Sequence, residues 1–216
     1  MSKLREIVIA AYNRDLSWLD HLNDIKISIY RKGTPTSDER EIYLPENVGR
    51  CVHTFFNHIV SRYDNLADLT YFAQDYPFDH WSNIVECCSA SIEEIQSLAA
   101  LTNGNYYAFD TKDIHTRTPV IEVGTGITLK CNTAGLPHHG GLDLNSYWNL
   151  LFEGEPPTVY EFAPAGHFVV TKEHLQLRSK AFYTKIVDLL EKEHLAPWTI
   201  ERLEAYIFNP KYVTKL

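Results

Sequence analysis

The segment Asp75-Tyr76-Pro77-Phe78-Asp79-His80 sets two carboxylates and an imidazole close together, with a proline stiffening the turn between them. Magnesium or manganese at a nucleotide site is held by one or two carboxylates while diphosphate oxygens fill other positions, and manganese also accepts imidazole. Asp79 is the foremost candidate ligand, with Asp75 and His80 as further ones. The structural alternative is that Asp75 caps a turn and Asp79 caps the following helix. Two other segments, Tyr12-Asn13-Arg14-Asp15 and Arg31-Lys32-Gly33, supply a ring and cations. A ring to stack a base, cations for phosphate and hard oxygens for a metal are what a nucleoside diphosphate with a divalent ion requires. Asn47-Val48-Gly49-Arg50 opens a helical stretch, where a glycine permits close backbone approach and the helix start favours an anion. Arg50, His53 and Asn57 follow at spacings of 3 and 4 and share one stripe, either solvated or ligand-facing.

Later in the chain the candidates are more scattered. His167, in the small-residue run Ala163-Pro164-Ala165-Gly166-His167, is placed to complete a metal shell, and His138-His139-Gly140-Gly141 is a polar turn able to reach an acceptor. Asp143, Glu155 and Glu161 are candidate bases for an acceptor proton. Tyr147-Trp148 with Tyr106-Tyr107 would suit stacking on a sugar, the alternative being that they fill the core.

These residues must be positioned by the elements around them. Ile7 to Ala11 is a short run, apolar on both sides, as in a buried parallel strand. A helical period begins at Leu16, and Ile25 to Tyr30 alternates as a second strand. Val48, Val52, Phe55, Phe56, Ile59, Val60 and Tyr63 recur at helical spacing, which predicts an amphipathic helix over Val48–Tyr63. Leu66 to Gln74 reads as a third strand. Ser91-x-x-Glu94 is a capping-box pattern opening a helix over Ile92–Leu101. Short strands are expected at Tyr106–Phe109 and Val120–Val123, then a strand at Phe168–Val170. A long helix is expected from Lys172 to about His194 with Thr171 as N-cap, and a last one after Pro197. The order β-α-β-α-β implies an α/β fold with a parallel, helix-flanked sheet. In such a sheet ligands sit beyond the carboxyl ends of the strands, where the three turns described above all fall.

The chain has 216 residues with 20 basic and 28 acidic side chains, a formal charge of −8. An acidic balance without a basic run argues against nucleic acid or an anionic membrane as partner. Apolar residues make up 44% and aromatics 12%, which excludes a disordered or fibrous chain. No run approaches a membrane span and the N-terminus lacks a secretory pattern. Cys51, Cys87, Cys88 and Cys131 have no zinc spacing and read as reduced thiols of a cytoplasmic protein. GxGxxG, GxxxxGK[ST] and GxSxG are all missing. The expectation is one domain over 1–216, its first half (1–101) the nucleotide-binding unit and its second (102–216) shaping the acceptor side. Asn209-Pro210 opens a tail that reads as part of a longer chain.

Ala11-Tyr12-Asn13-Arg14-Asp15, Leu44-Pro45-Glu46-Asn47-Val48-Gly49-Arg50, and Asp64-Asn65-Leu66-Ala67-Asp68 running into Gln74 to His80 resemble a glycosyltransferase-like family of GT-A fold. It includes enzymes with which large algal viruses decorate their capsid protein. The likeness covers about the first 90 residues, and Phe162 to Phe182 resembles a later part of such enzymes. The resemblance implies a GT-A-like mixed, mostly parallel sheet, Mn2+ (or Mg2+) as cofactor, a UDP-sugar donor and a glycan or glycoprotein acceptor in a host cytoplasm. The metal motif of that family is Asp-x-Asp, whereas this chain has Asp-x-x-x-Asp, so either Asp75 or Asp79 would be the direct ligand. By the same resemblance Ala11, Tyr12, Asn13 and Arg14 would surround uracil and ribose. Lys32, Asn47, Gly49, Arg50 and His53 would lie near the nucleotide or its phosphates. The expected reaction is transfer of a hexose or deoxyhexose, with Asp79 and Asp143 as catalytic carboxylates. A metal-dependent hydrolase using Asp75, Asp79, His80 and His167, or a non-catalytic sugar-binding module, are the alternatives.

Overall fold

The computed structural model describes residues 3–109, 120–121, 128–131 and 142–215. At its centre β1 (Arg5–Ala11) runs parallel to β2 (Lys26–Arg31) on one side and to β4 (Leu69–Gln74) on the other. β3 (Glu41–Tyr43) adds a further parallel strand outside β2. Beyond β4 the direction reverses: β10 (His167–Thr171) is antiparallel to β4, β6 (Tyr106–Phe109) is antiparallel to β10, and β5 (Leu101–Asn103) closes that edge. The seven-stranded order is β3-β2-β1-β4-β10-β6-β5. A smaller sheet holds β7 (Val120–Ile121), β8 (Thr128–Cys131) and β9 (Glu161–Phe162). The α/β class and the mixed, helix-flanked sheet thus match the sequence reading, with the antiparallel part added by β5, β6 and β10.

Two-sided burial explains why β1 is a continuous apolar run. Val8 faces a cluster with Phe55, Phe56, Phe72 and Phe168, while Ile7 and Ile9 face another with Trp81, Ile84, Cys87 and Ile95. α1 (Arg50–Arg62), α6 (Lys180–Lys192) and α7 (Ala196–Ile207) cover the first face. α2 (Ile84–Ser89) and α3 (Ile92–Leu98) cover the second. The capping box of α3 is formed as its sequence implies: the Glu94 amide donates to Ser91 Oγ at 3.2 Å and the Ser91 amide to Glu94 Oε2 at 2.7 Å. Burying the four apolar side chains Val52, Phe55, Phe56 and Ile59 of α1 stabilises the fold by roughly 1.5–3 kcal/mol each.

Several expectations change. The period after Leu16 yields only a 3-10 turn at Ser17–His21. α2 and β3 have no strong sequence period; β3 is tied to its neighbour by a buried ion pair between Arg31 and Glu41. The stretch Lys172–His194 is two helices rather than one, α5 (Lys172–Leu175) capped by Thr171 and α6 capped by Ser179. Between them Arg178 turns inward, Nε donating to the Ile207 carbonyl at 2.8 Å, a contact a continuous helix would not allow. Tyr106, Tyr107 and Trp148 are core residues, 1% exposed each, so they offer no sugar platform. Trp148 and Tyr147 belong to α4 (Leu144–Leu151). The strand expected over Val120–Val123 is seen at Val120–Ile121; Val123 and the turn His138-His139-Gly140-Gly141 lie outside the described residues.

Candidate functional site

Because β1, β2 and β4 are parallel, their carboxyl ends share one edge of the sheet, and antiparallel β10 brings its first residue, His167, to that edge. The turn after β4 is fastened to the turn after β1. The Asp75 amide donates to the Ala10 carbonyl at 3.1 Å. Its carboxylate Oδ2 accepts from the Tyr12 amide at 2.9 Å and the Arg14 amide at 3.3 Å. The Trp18 indole donates to the Asp75 carbonyl at 3.0 Å. Asp75 is therefore a turn cap, though of the neighbouring strand's turn rather than its own.

The turn after β2 presses against the same place. The Lys32 amide donates to the Ala11 carbonyl at 2.9 Å. A Cβ on Gly33 would fall 2.3 Å from both Asn13 Oδ1 and the Tyr12 carbonyl oxygen. Only glycine permits that approach. The Arg31 guanidinium donates to the Tyr12 carbonyl at 2.8 Å and is spent on structure. Lys32 is 8% exposed, and its ammonium donates to the carbonyls of Val48 and, at 2.7 Å, Arg50. Burial pulls its pKa down from 10.5 to about 8.

Between these turns and the start of α1 lies a hollow of about 250 Å³ lined by Ala10, Ala11, Tyr12, Lys32, Asn47, Arg50, Cys51, Gln74 and Asp75. Of the residues anticipated from sequence, Ala11, Tyr12, Lys32, Asn47, Arg50 and Asp75 are brought together here. Asn13 and Arg14 are exposed on the adjoining turn. Gly49 has a left-handed φ of 61°, and a Cβ there would meet the His53 Cβ at 2.5 Å, so its freedom serves the packing of α1. His53 is buried against α6, Nε2 lying 3.3 Å from Glu191 Oε1, away from the hollow; burial and the nearby Lys32 charge hold its pKa down. Arg50 also has a left-handed φ, 54°, and a non-glycine residue in that region carries strain of the kind often kept at functional sites.

Asp79 is exposed on the turn four residues past Asp75, and His80 follows it. The His80 and His167 rings lie 5.9 Å apart, edge to face. His167 is 1% exposed with neither ring nitrogen hydrogen-bonded among the described residues, and burial, with His80 adding to it, pushes its pKa to about 3. It is a neutral imidazole sealed behind His80. Among the described residues no three His, Cys, Asp or Glu side chains gather into a metal cage. Of the candidate metal ligands Asp75 lines the hollow, whereas Asp79 and His80 stand farther along the same turn, so a divalent ion here would need diphosphate oxygens to complete its shell.

Asp143 caps α4, Oδ1 accepting from the Ser146 amide at 3.0 Å and Oδ2 from its hydroxyl at 2.6 Å. Glu161 lines a separate hollow with Asn103, Tyr206 and Tyr212, and Glu155 is exposed beyond α4. None of these acids lines the hollow at Lys32 and Asp75. Sequence reasoning passed over Glu201 and Glu204 on α7. Burial raises the Glu201 pKa; the charges of Arg202, Arg50 and His80 and the Ala165 amide, which hydrogen-bonds it, act the other way. Glu204 is 1% exposed with neither carboxylate oxygen hydrogen-bonded among the described residues, and burial raises its pKa well above the ordinary value. Two acids one turn apart in a helix whose other faces carry Ile200, Leu203 and Ile207 were the available signal. Gln74, the last residue of β4, was missed as well; its amide reaches the Ala165 carbonyl at 3.0 Å and ties the hollow to the turn before β10.

The chain belongs to DUF3431, a family of proteins of unknown function, whose model matches residues 7–214. Neither a curated protein nor a solved structure matches it. Among the described residues no helix is long and apolar enough to cross a membrane.

Proposed function

We propose that this DUF3431 chain is a metal-dependent glycosyltransferase of GT-A-like fold, moving a hexose or deoxyhexose from a UDP-sugar to a glycan or glycoprotein acceptor. The observation that carries the reading is the shared wall of the hollow, where the turns after three parallel strands bring a tyrosine, a lysine and a carboxylate to one rim and the start of α1 adds Arg50. Tyr12 offers a ring for the base, Lys32 and Arg50 offset phosphate charge, and Asp75 with Asp79 and His80 would hold Mn2+ or Mg2+ jointly with the diphosphate. When bound, that ion supplies Lewis-acid neutralisation of the leaving diphosphate.

The chain's own residues account for the remainder. In transfer the bond between the anomeric carbon and the diphosphate oxygen breaks, its electron pair leaving with UDP, while the acceptor oxygen bonds to that carbon and gives up its proton. Of the acids in the second half, Asp143 is engaged as the cap of α4, and Glu201, which pairs with Arg202 and feels the charges of Arg50 and His80, is the candidate to take the acceptor proton.

Calorimetric titration with UDP, with and without Mn2+, tests the reading. The wild type is expected to bind UDP more tightly with Mn2+, and Asp79→Ala to lose at least roughly tenfold of that metal-dependent affinity. No UDP binding in either condition would overturn the assignment. Incubation with several UDP-sugars then separates the classes: donor breakdown accelerated by a glycan supports transfer, whereas acceptor-independent turnover indicates a hydrolase and binding without turnover a sugar module.

A further inference from the structure

A second hollow, of about 510 Å³, adjoins the first and shares Asn47 and Arg50 with it. Its far wall is the junction of α6 and α7, where Leu190, His194, Pro197 and Trp198 meet. Trp198 is half-buried, His194 is exposed, and their rings stand 5.7 Å apart, edge to face. The Arg50 guanidinium lies over the Trp198 ring, 5.2 Å from its centre. Glu191 and Glu193 complete a polar rim around this aromatic and aliphatic floor.

We propose that this second hollow is the acceptor subsite, taking the terminal pyranose ring of a neutral glycan against Trp198. The inference rests on the transferase reading, because only a two-substrate reaction needs two hollows meeting at one point. A pyranose presents an apolar patch of C–H groups on one face and hydroxyls around its edge. The indole, with Leu190 and Pro197, matches the patch; Glu191, Glu193 and Arg50 match the hydroxyls. Arg50 stands at the meeting point and belongs to both walls. Its left-handed backbone is pinned by Lys32, whose ammonium holds the carbonyls on either side of Gly49, those of Val48 and Arg50. The tie gives the strained turn a purpose, since it directs one arginine to the boundary between donor and acceptor. The opposite signs on the rim, Lys192 and Arg50 against Glu191 and Glu193, favour an uncharged sugar over a phosphorylated or acidic one.

The test needs no donor. Saturation-transfer NMR with methyl glycosides of glucose, galactose, mannose and rhamnose, titrated into the full chain, is expected to show millimolar binding of at least one. Trp198→Ala should weaken it by about tenfold or more, with Trp198→Phe restoring much of the loss. His194→Ala, at an exposed position, is a second variant that should weaken binding without threatening the fold. Absence of saccharide binding to the wild type, or equal binding by Trp198→Ala and the wild type, overturns the proposal. A wild type that binds glycosides but not UDP would instead defeat the transferase reading while leaving a sugar site at Trp198.

Discussion

Lys32 combines a structural and an electrostatic role, and its titration separates them. As an ammonium it ties down the Val48–Arg50 turn and adds a positive charge to the wall of the first hollow. Its pKa is about 8 in the folded chain against 10.5 when free. Between those values the unfolded chain holds a proton that the folded chain has released, so this group's contribution to stability rises with pH across the interval. Over the same interval the hollow loses a cation. Affinity for pyrophosphate, read by calorimetry without metal, is therefore expected to fall roughly fivefold as pH rises through about 8, with no parallel loss of thermal stability. Lys32→Met should flatten that profile, and a wild-type affinity that stays constant through the interval would remove Lys32 from the anion site. The residue type and its place after a strand made Lys32 legible as a cation in the wall of the hollow. Its carbonyl partners were not legible, because they come from a separate turn that only the fold brings within reach.

Among the elements, the turns carry more of the site than the helices. Gly33 shows this: its backbone lies where a methyl group would collide with Asn13 and with the main chain of Tyr12. Gly33→Ala is expected to force the β1 and β2 turns apart, destabilising the chain by about 1–3 kcal/mol in urea unfolding and abolishing UDP binding. Stability and binding both unchanged would show that the turns adjust freely. The same contrast explains what the sequence revealed of the fold. β1, β2, β4 and α1 could be read because their apolar periods repeat over several residues and report local burial directly. β3 and α2 could not, being short elements held by tertiary contacts, the buried Arg31–Glu41 pair in one case and packing around Trp81 in the other. The run Lys172–Lys192 reads as one helix, and it breaks where Ser179 caps α6 and Arg178 reaches the carbonyls of Ile207 and Asn209. The rim of the site was legible because parallel strands must deliver their turns to one edge. Glu201 and Glu204 were not, since they arrive from the last helix across the core.

At the scale of the molecule, the first face of the sheet encloses a carboxyl group that has no hydrogen-bond partner among the described residues. Burial holds the Glu204 proton to a higher pH in the folded chain than in the unfolded one, so this group's contribution to stability falls as pH rises past about 4.5. Glu204→Gln has no proton to lose. Its melting temperature is expected to exceed that of the wild type at neutral pH, the gap closing as pH falls toward 4.5. A gap of constant size would mean that Glu204 is charged in the folded chain. The central position of β10 has a further effect, on biosynthesis. β4 gains its second hydrogen-bonded neighbour only when His167–Thr171 has left the ribosome, long after β1, β2 and β4 themselves have emerged. Until then, while residues 75–171 are being made, the nascent polypeptide carries a bare, apolar strand edge, the kind of edge that other chains pair with. Crowded polysomes and slow codons ahead of position 167 should accordingly increase demand for chaperones.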